Sequence, residues 1–390
     1  MKSEGRAIRL DSLTGMRFFA ALAVVLIHVG GQFARGPWLL TAESLGYIGV
    51  SFFFLLSGFV LTWSTAHTPA RRFWWLRFSR IWPATTVMAI VAFTVVAQWE
   101  QIPGKLGRVS EIVLLQAWWP NQKVYYGGNG VSWSLSAEMF FYLLFPLVII
   151  PLRRLRGRGL LVTAAITLAV LYVTPGIATA AGMSPTTYSY VFFVFPPYRF
   201  GEFLLGMLMA RAMLLGARIP APSWLWAAGA LGLGGVIWGL TDYTRAVHIG
   251  VQRPYVALWV LPCFALMVAA GASRDVRGGT WWLGSRPLLR LGEWSFALYL
   301  VHKPVFLLTN SWGWWGLPRG FASFEAFVIY ICLATAVAAA LHYVVEKPVE
   351  RMLRRLPVGQ KRVAVVAPSE TPSQRPHEAY AVGATAADEG

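Results

Sequence analysis

A histidine, His28, stands eleven positions after Arg17 inside the first long apolar run, Arg17-Phe-Phe-Ala-Ala-Leu-Ala-Val-Val-Leu-Ile-His28. A helix rises about 1.5 Å per residue, so roughly 16 Å separate the guanidinium from the imidazole. An arginine at the membrane surface then places the ring near or beyond mid-bilayer, where an ionisable group is costly and marks a site by default. Imidazole titrates close to neutrality, and proton transfer is the chemistry it offers. His302, Glu138 and Glu202 lie inside other apolar runs. His302 falls roughly 16 Å along its span, Glu138 about 8 Å and Glu202 about 10 Å below the outer ends of theirs. Two imidazoles and two carboxylates in the outer half of the bilayer can line a single cavity.

Each group also has a plainer reading. A lone membrane histidine often serves as a hydrogen-bond link between helices. Glu202 follows Arg199 by three positions, a spacing that favours a local ion pair. Glu138 has no adjacent basic residue and is the candidate for orienting or charging an imidazole. Arg77 and Arg80, one helical turn apart and beside Arg17, suit bidentate capture of phosphates, although arginines at inner helix ends are expected from topology alone. Ser57, Ser134 and Ser136 are candidate nucleophiles, yet such serines more often bond their own helix backbone. There is no Gly-x-Ser-x-Gly elbow, no metal-ligand spacing and no Gly-rich phosphate loop.

The elements that must position these groups are membrane helices. Of 390 residues, 56% are hydrophobic and only 13% charged, with 19 tryptophans, which marks an integral membrane protein. Crossing a bilayer of about 30 Å takes around 20 residues. Apolar windows near 16–34, 46–64, 79–99, 133–150, 159–181, 195–215, 223–241, 255–272, 291–309 and 324–345 predict an all-α polytopic bundle of about ten spans. The net charge of +17 comes from clusters between those windows rather than a nucleic-acid surface. Arg71, Arg72, Arg77 and Arg80, then Arg153, Arg154, Arg156 and Arg158, then Arg274, Arg277, Arg286 and Arg290 share the side of the N-terminus. That asymmetry predicts both termini in the cytoplasm.

The basic lead of Lys2, Arg6 and Arg9 precedes a first span read as retained. Residues 1–350 form the transmembrane domain, and 351–390, rich in Pro, Ser, Thr and Ala, read as a disordered cytoplasmic tail. Cys263 and Cys332 both lie in apolar runs, so neither a disulfide framework nor a metal site is expected. The sequence shows no internal repeat, which weighs against a transporter of duplicated halves.

The motifs resemble those of the membrane-bound acyltransferase-3 family. They are Leu13-Thr14-Gly15-Met16-Arg17-Phe18-Phe19-Ala20-Ala21 leading to His28, Gly49-Val50-Ser51-Phe52-Phe53-Phe54-Leu55-Leu56-Ser57-Gly58-Phe59 and Arg77-Phe78-Ser79-Arg80-Ile81-Trp82-Pro83. Trp133-Ser134-Leu135-Ser136-Ala137-Glu138, Phe200-Gly201-Glu202-Phe203-Leu204-Leu205-Gly206, Ser295-Phe296-Ala297-Leu298-Tyr299-Leu300-Val301-His302 and Glu346-Lys347-Pro348 follow in order. The resemblance implies transfer of an acyl group, usually acetyl, to a hydroxyl of a sugar, lipid or natural product. It implies an Arg-x10-His pair in Arg17 and His28, with the imidazole catalytic, and an Arg-x-x-Arg element for acyl-CoA in Arg77 and Arg80. Glu138 matches the acidic position of the fourth-span motif, while Phe296 stands where a tyrosine is usual.

The expectation is an O-acyltransferase of the plasma membrane with no bound cofactor and acetyl-CoA as co-substrate. Arg17, Arg77 and Arg80 would hold its phosphates, with His28 as base and Glu138 or a neighbouring polar group fixing its tautomer. Ser134, Glu202 and His302 would support the site, and the acceptor would be a macrolide-type natural product or a glycan. The reading from another class is a proton-coupled transporter with His28 and Glu138 as relay.

Overall fold

The computed structural model describes residues 8–33, 37–65, 68–95, 103–217, 222–247, 253–279, 281–312 and 324–358. Among these every regular element is helical. In chain order they are α1 (Asp11–Phe33), α2 (Pro37–Thr65), α3 (Ala70–Thr94), α4 (Lys105–Ile112), α5 (Gln122–Tyr125), α6 (Trp133–Arg154), α7 (Gly157–Ala180) and α8 (Pro185–Ser189). There follow α9 (Pro196–Leu214), α10 (Pro222–Val247), α11 (Arg253–Val276), α12 (Arg286–Ser311), α13 (Phe324–Leu341) and α14 (Lys347–Arg355). Prolines open α8, α9, α12 and α14 within their first two positions, where a missing N–H costs nothing.

Five described helical stretches are long and apolar enough to cross a membrane: Trp133–Arg154, Gly157–Ala180, Pro185–Leu214, Leu258–Val276 and Glu325–Arg355. Shorter apolar helices run over Ile48–Ser64 and Ser223–Val236. The remaining expected windows fall on α1, α3 and α12, where Arg17 and His28, Arg77 and Arg80, and Glu293 and Lys303 interrupt the apolar run. On α7 an outward stripe of Leu161, Val162, Ile166, Val170, Val173 and Ile177 is at least half exposed at every position. A continuous apolar face of that length is stable against lipid tails, not water.

Without a hydrophobic drive between helices in lipid, close backbone approach holds the bundle, and small residues permit it. The α2–α9 contact is reciprocal in this respect. A Cβ on Gly58 would lie 1.9 Å from the Phe203 carbonyl oxygen, and one on Gly206 would lie 1.9 Å from that of Leu55. The α1–α12 contact is equally close, a Cβ on Gly292 meeting the Thr14 carbonyl oxygen at 2.0 Å. Neither pair of helices can approach this way with a side chain at the crossing. Gly206→Leu is therefore expected to destabilise the bundle by at least about 1–3 kcal/mol, the range of ordinary overpacking. Thermal unfolding of the detergent-solubilised protein measures it, and an unchanged midpoint would refute the crossing.

The basic lead (Lys2 and Arg6) and residues 359–390 lie outside the described residues. Helix α14 runs on to Arg355, so the first five positions of the expected tail are helical. Arg72 fastens that end by donating to the carbonyls of Arg354 at 2.9 Å and Leu356 at 3.2 Å.

Candidate active site

Two groups of side chains answer to the sequence expectations, and they adjoin. The first lines a pocket among α1, α2, α3, α6 and α12 and includes Arg17, Ser57, Arg77, Arg80, Ser134, Glu138, Tyr142, Phe296 and Tyr299. Along α6 the wall runs from Ser134 through Glu138 to Tyr142, eight residues or about 12 Å of helix.

The three arginines differ in their partners. Arg80 is paired with Glu346 and Glu350, the latter at 3.0 Å. Glu346 is in turn 3.0 Å from His342 Nδ1 within a π-helical turn, His342–Glu346. Among the described residues neither Arg17 nor Arg77 makes a hydrogen bond or an ion pair, although Arg77 lies over the Phe73 ring at 5.9 Å. Two cations with no direct counter-charge in an interior pocket call for an anion. The Arg77-x-x-Arg80 element is thus split, one member facing the pocket unpaired and the other held by carboxylates.

Glu138 accepts hydrogen bonds from Ser57 Oγ at 2.6 Å and from Tyr142 OH on the same oxygen. The expectation that Glu138 fixes the His28 tautomer is not met: its partners are Ser57 and Tyr142. Glu202 also leaves the site, because it is fully buried between α2 and α9, 3.1 Å from Arg199 and 3.2 Å from Ser51 Oγ. It is the local ion pair that its spacing from Arg199 allows. The hydroxyls of Ser134 and Tyr299 are 2.7 Å apart, and Tyr299 donates its one proton to the Val131 carbonyl at 2.8 Å. Ser134 Oγ donates to the same carbonyl at 3.3 Å, so one backbone oxygen gathers both hydroxyls.

The second group is a histidine pair. His302 is completely buried, and its Nε2 is 3.3 Å from Nδ1 of His28, with ring centroids 5.1 Å apart. His28 Nδ1 also lies 2.8 Å from the Val24 carbonyl, and His302 Nδ1 lies 3.2 Å from that of Leu298. A carbonyl can only accept, so both Nδ1 atoms are assigned the hydrogen. His302 Nε2 is then an acceptor facing His28, and His28 Nε2 keeps its lone pair. His28 is exposed overall, whereas His302 is completely buried. Tyr299 joins the two groups: it lines the pocket and its ring centroid is 6.0 Å from that of His302. His28 itself is not among the pocket-lining residues.

The sequence reading gave no site role to Tyr142 or Tyr299. Helical spacing was the signal for them, Tyr142 lying four positions after Glu138 and Tyr299 three before His302. Nothing local points to Glu346 and Glu350 as partners of Arg80.

The described residues thus form a helical membrane protein with an interior pocket lined by arginines, and a histidine pair adjoins that pocket through Tyr299. The chain belongs to the acyltransferase-3 family, whose model, described as an acyltransferase domain, matches residues 10–343. It is an acyltransferase. The chain is 37% identical to Acyltransferase MdmB of Streptomyces mycarofaciens, with 95% of this chain and 98% of that protein covered. It is 25% identical to the O-acetyltransferase OatA of Staphylococcus aureus, covering 88% of this chain and 57% of the longer relative. The peptidoglycan O-acetyltransferase OatA of Listeria monocytogenes is also 25% identical, over 77% of this chain and 50% of its own length. No solved structure matches the chain. The transporter reading does not survive, since the family is one of acyltransferases and His28 and Glu138 belong to separate hydrogen-bond networks.

Proposed function

We propose that this protein is an O-acyltransferase of the plasma membrane that moves acetyl from acetyl-CoA to a hydroxyl of a macrolide-type natural product. The observation that carries the reading is the pocket itself: unpaired Arg17 and Arg77 on one side, and Tyr299 against the His302–His28 pair on the other. The bundle has about ten spans with both termini cytoplasmic, residues 1–350 forming the transferase domain and 351–390 a cytoplasmic tail. That orientation gives the arginines access to cytoplasmic acetyl-CoA.

The CoA phosphates bind Arg17 and Arg77 in charge-assisted hydrogen bonds, with Arg80 held nearby by Glu346 and Glu350. Glu138, fixed by Ser57 and Tyr142, supplies a negative charge facing Arg17 across the pocket. The pantetheine arm extends toward Ser134 and Tyr299. His28 Nε2 takes the proton of the acceptor hydroxyl as its oxygen attacks the thioester carbonyl. The C–S bond breaks, the imidazolium returns the proton to the CoA thiolate, and ester and free CoA leave. His302 holds the His28 ring throughout, and Ser134, hydrogen-bonded with Tyr299, supports the same wall.

The match with the MdmB acyltransferase runs over nearly the whole of both chains, whereas the OatA O-acetyltransferases are matched over 57% and 50% of their length, so the MdmB-like reading is placed first and a glycan acceptor second. Membranes containing the protein, given radiolabelled acetyl-CoA, should label a hydroxylated macrolide and not peptidoglycan fragments. Label on the glycan alone would reassign the acceptor. Absence of label on every acceptor would remove acetyl-CoA as donor.

A further inference from the structure

Helix α12 contains Pro304, and proline has no backbone N–H. The carbonyl of Leu300, four residues earlier, therefore lacks its helical donor one turn away from that proline and two residues from His302. A residue far off in sequence supplies the bond: Asn129 Nδ2 donates to the Leu300 oxygen at 3.0 Å, both residues being buried. Asn129 is itself held, because its backbone N–H donates to Glu111 Oε1 at 3.0 Å. Ser132 Oγ donates to the same carboxylate oxygen at 3.0 Å, and Gln116 Nε2 donates to the Ser132 carbonyl at 3.0 Å.

The loop is built to wrap this carboxylate. Gly128 has φ +66°, a left-handed conformation that glycine adopts without strain, and a Cβ there would lie 2.0 Å from Glu111 Oε2. Across the helix, Tyr330 OH donates to the His302 carbonyl at 2.6 Å. The turn of α12 that proline loosens is thus clamped from two neighbouring segments.

We propose that Asn129, locked by Glu111, is a positioning residue that stands in for the amide missing at Pro304 and fixes the depth at which α12 presents His302 to His28. The link to turnover rests on the reading of His28 as base; the clamp does not. Burial pushes the Glu111 carboxyl up to about 7, and glutamine keeps the acceptor oxygen that Asn129 N–H and Ser132 Oγ use.

Two readouts on the full-length protein in membranes test the assignment: steady-state acetyl transfer, and modification of His302 by diethyl pyrocarbonate followed by mass spectrometry. Buried His302 is shielded in the native protein. Asn129→Ala is expected to raise its labelling about tenfold and to lower kcat by about 10- to 100-fold, with the KM for acetyl-CoA within about twofold. Pro304→Ala restores an N–H at position 304, and in that background Asn129→Ala should change either readout by less than about twofold. Glu111→Ala should match Asn129→Ala without adding to it, and Glu111→Gln should restore native behaviour. Equal effects of Asn129→Ala in both backgrounds, or none in either, overturn the proposal. If the native protein shows transfer that persists in His28→Ala, the functional reading fails instead, and the labelling still decides the clamp.

Discussion

Replacing His28 with alanine is expected to lower kcat by about 10²- to 10⁴-fold, the usual contribution of a general base. The KM for acetyl-CoA should move little, because the arginines of the pocket are not partners of the ring. Insertion should also survive: the close backbone approach of α1 and α12 at Thr14 and Gly292 does not involve the imidazole. His302→Ala should cost less, since His28 Nδ1 keeps the Val24 carbonyl as its acceptor and hence the same tautomer. Steady-state kinetics on matched amounts of membrane protein measure both, and a fully active His28→Ala enzyme removes the ring from the chemistry.

The second large effect falls on the donor. Arg17→Ala and Arg77→Ala should each raise the KM for acetyl-CoA by about 10- to 100-fold, the scale of losing one or two hydrogen bonds to a charged group. The change should vanish with acetyl-pantetheine, which carries no phosphate. A similar penalty with both donors would assign these arginines to the fold. Arg80→Ala has a different signature, because it removes the cation that Glu346 and Glu350 share and leaves them only His342 and Arg354. Breaking such a pair costs stability, about 3–5 kcal/mol when fully buried. Thermal unfolding should register Arg80→Ala well before Arg17→Ala.

How much of this was legible in the chain depends on the quantity asked for. Depth was legible, because helical rise is a constant. The placement of His28 beyond Arg17 and of His302 far along its own helix follows from counting. Azimuth was not. Glu138 was expected to face His28, yet the face of α6 that carries it turns toward Ser57 on α2 and Tyr142 one turn on. Glu202 was settled by a local rule, its three-residue spacing from Arg199, and the buried pair is there. The histidine contact joins residues 274 positions apart and depends on how closely α1 and α12 approach at Gly292. No window over the sequence contains that information. The span windows show the same division: the most apolar ones coincide with helices able to cross a bilayer, while α1 and α3 carry the arginines that line the pocket.

The outward stripe on α7 has its own consequence. That helix touches the body chiefly through α9, with Tyr198 donating to the Leu171 carbonyl at 2.7 Å, and through Tyr172, which reaches the Leu258 carbonyl at 2.6 Å. Fatty-acyl chains are therefore its main neighbours, and its cohesion is a property of the solvent rather than of the polypeptide. Short-chain detergents that strip the annulus act first at this periphery and leave the glycine-locked interior assembled.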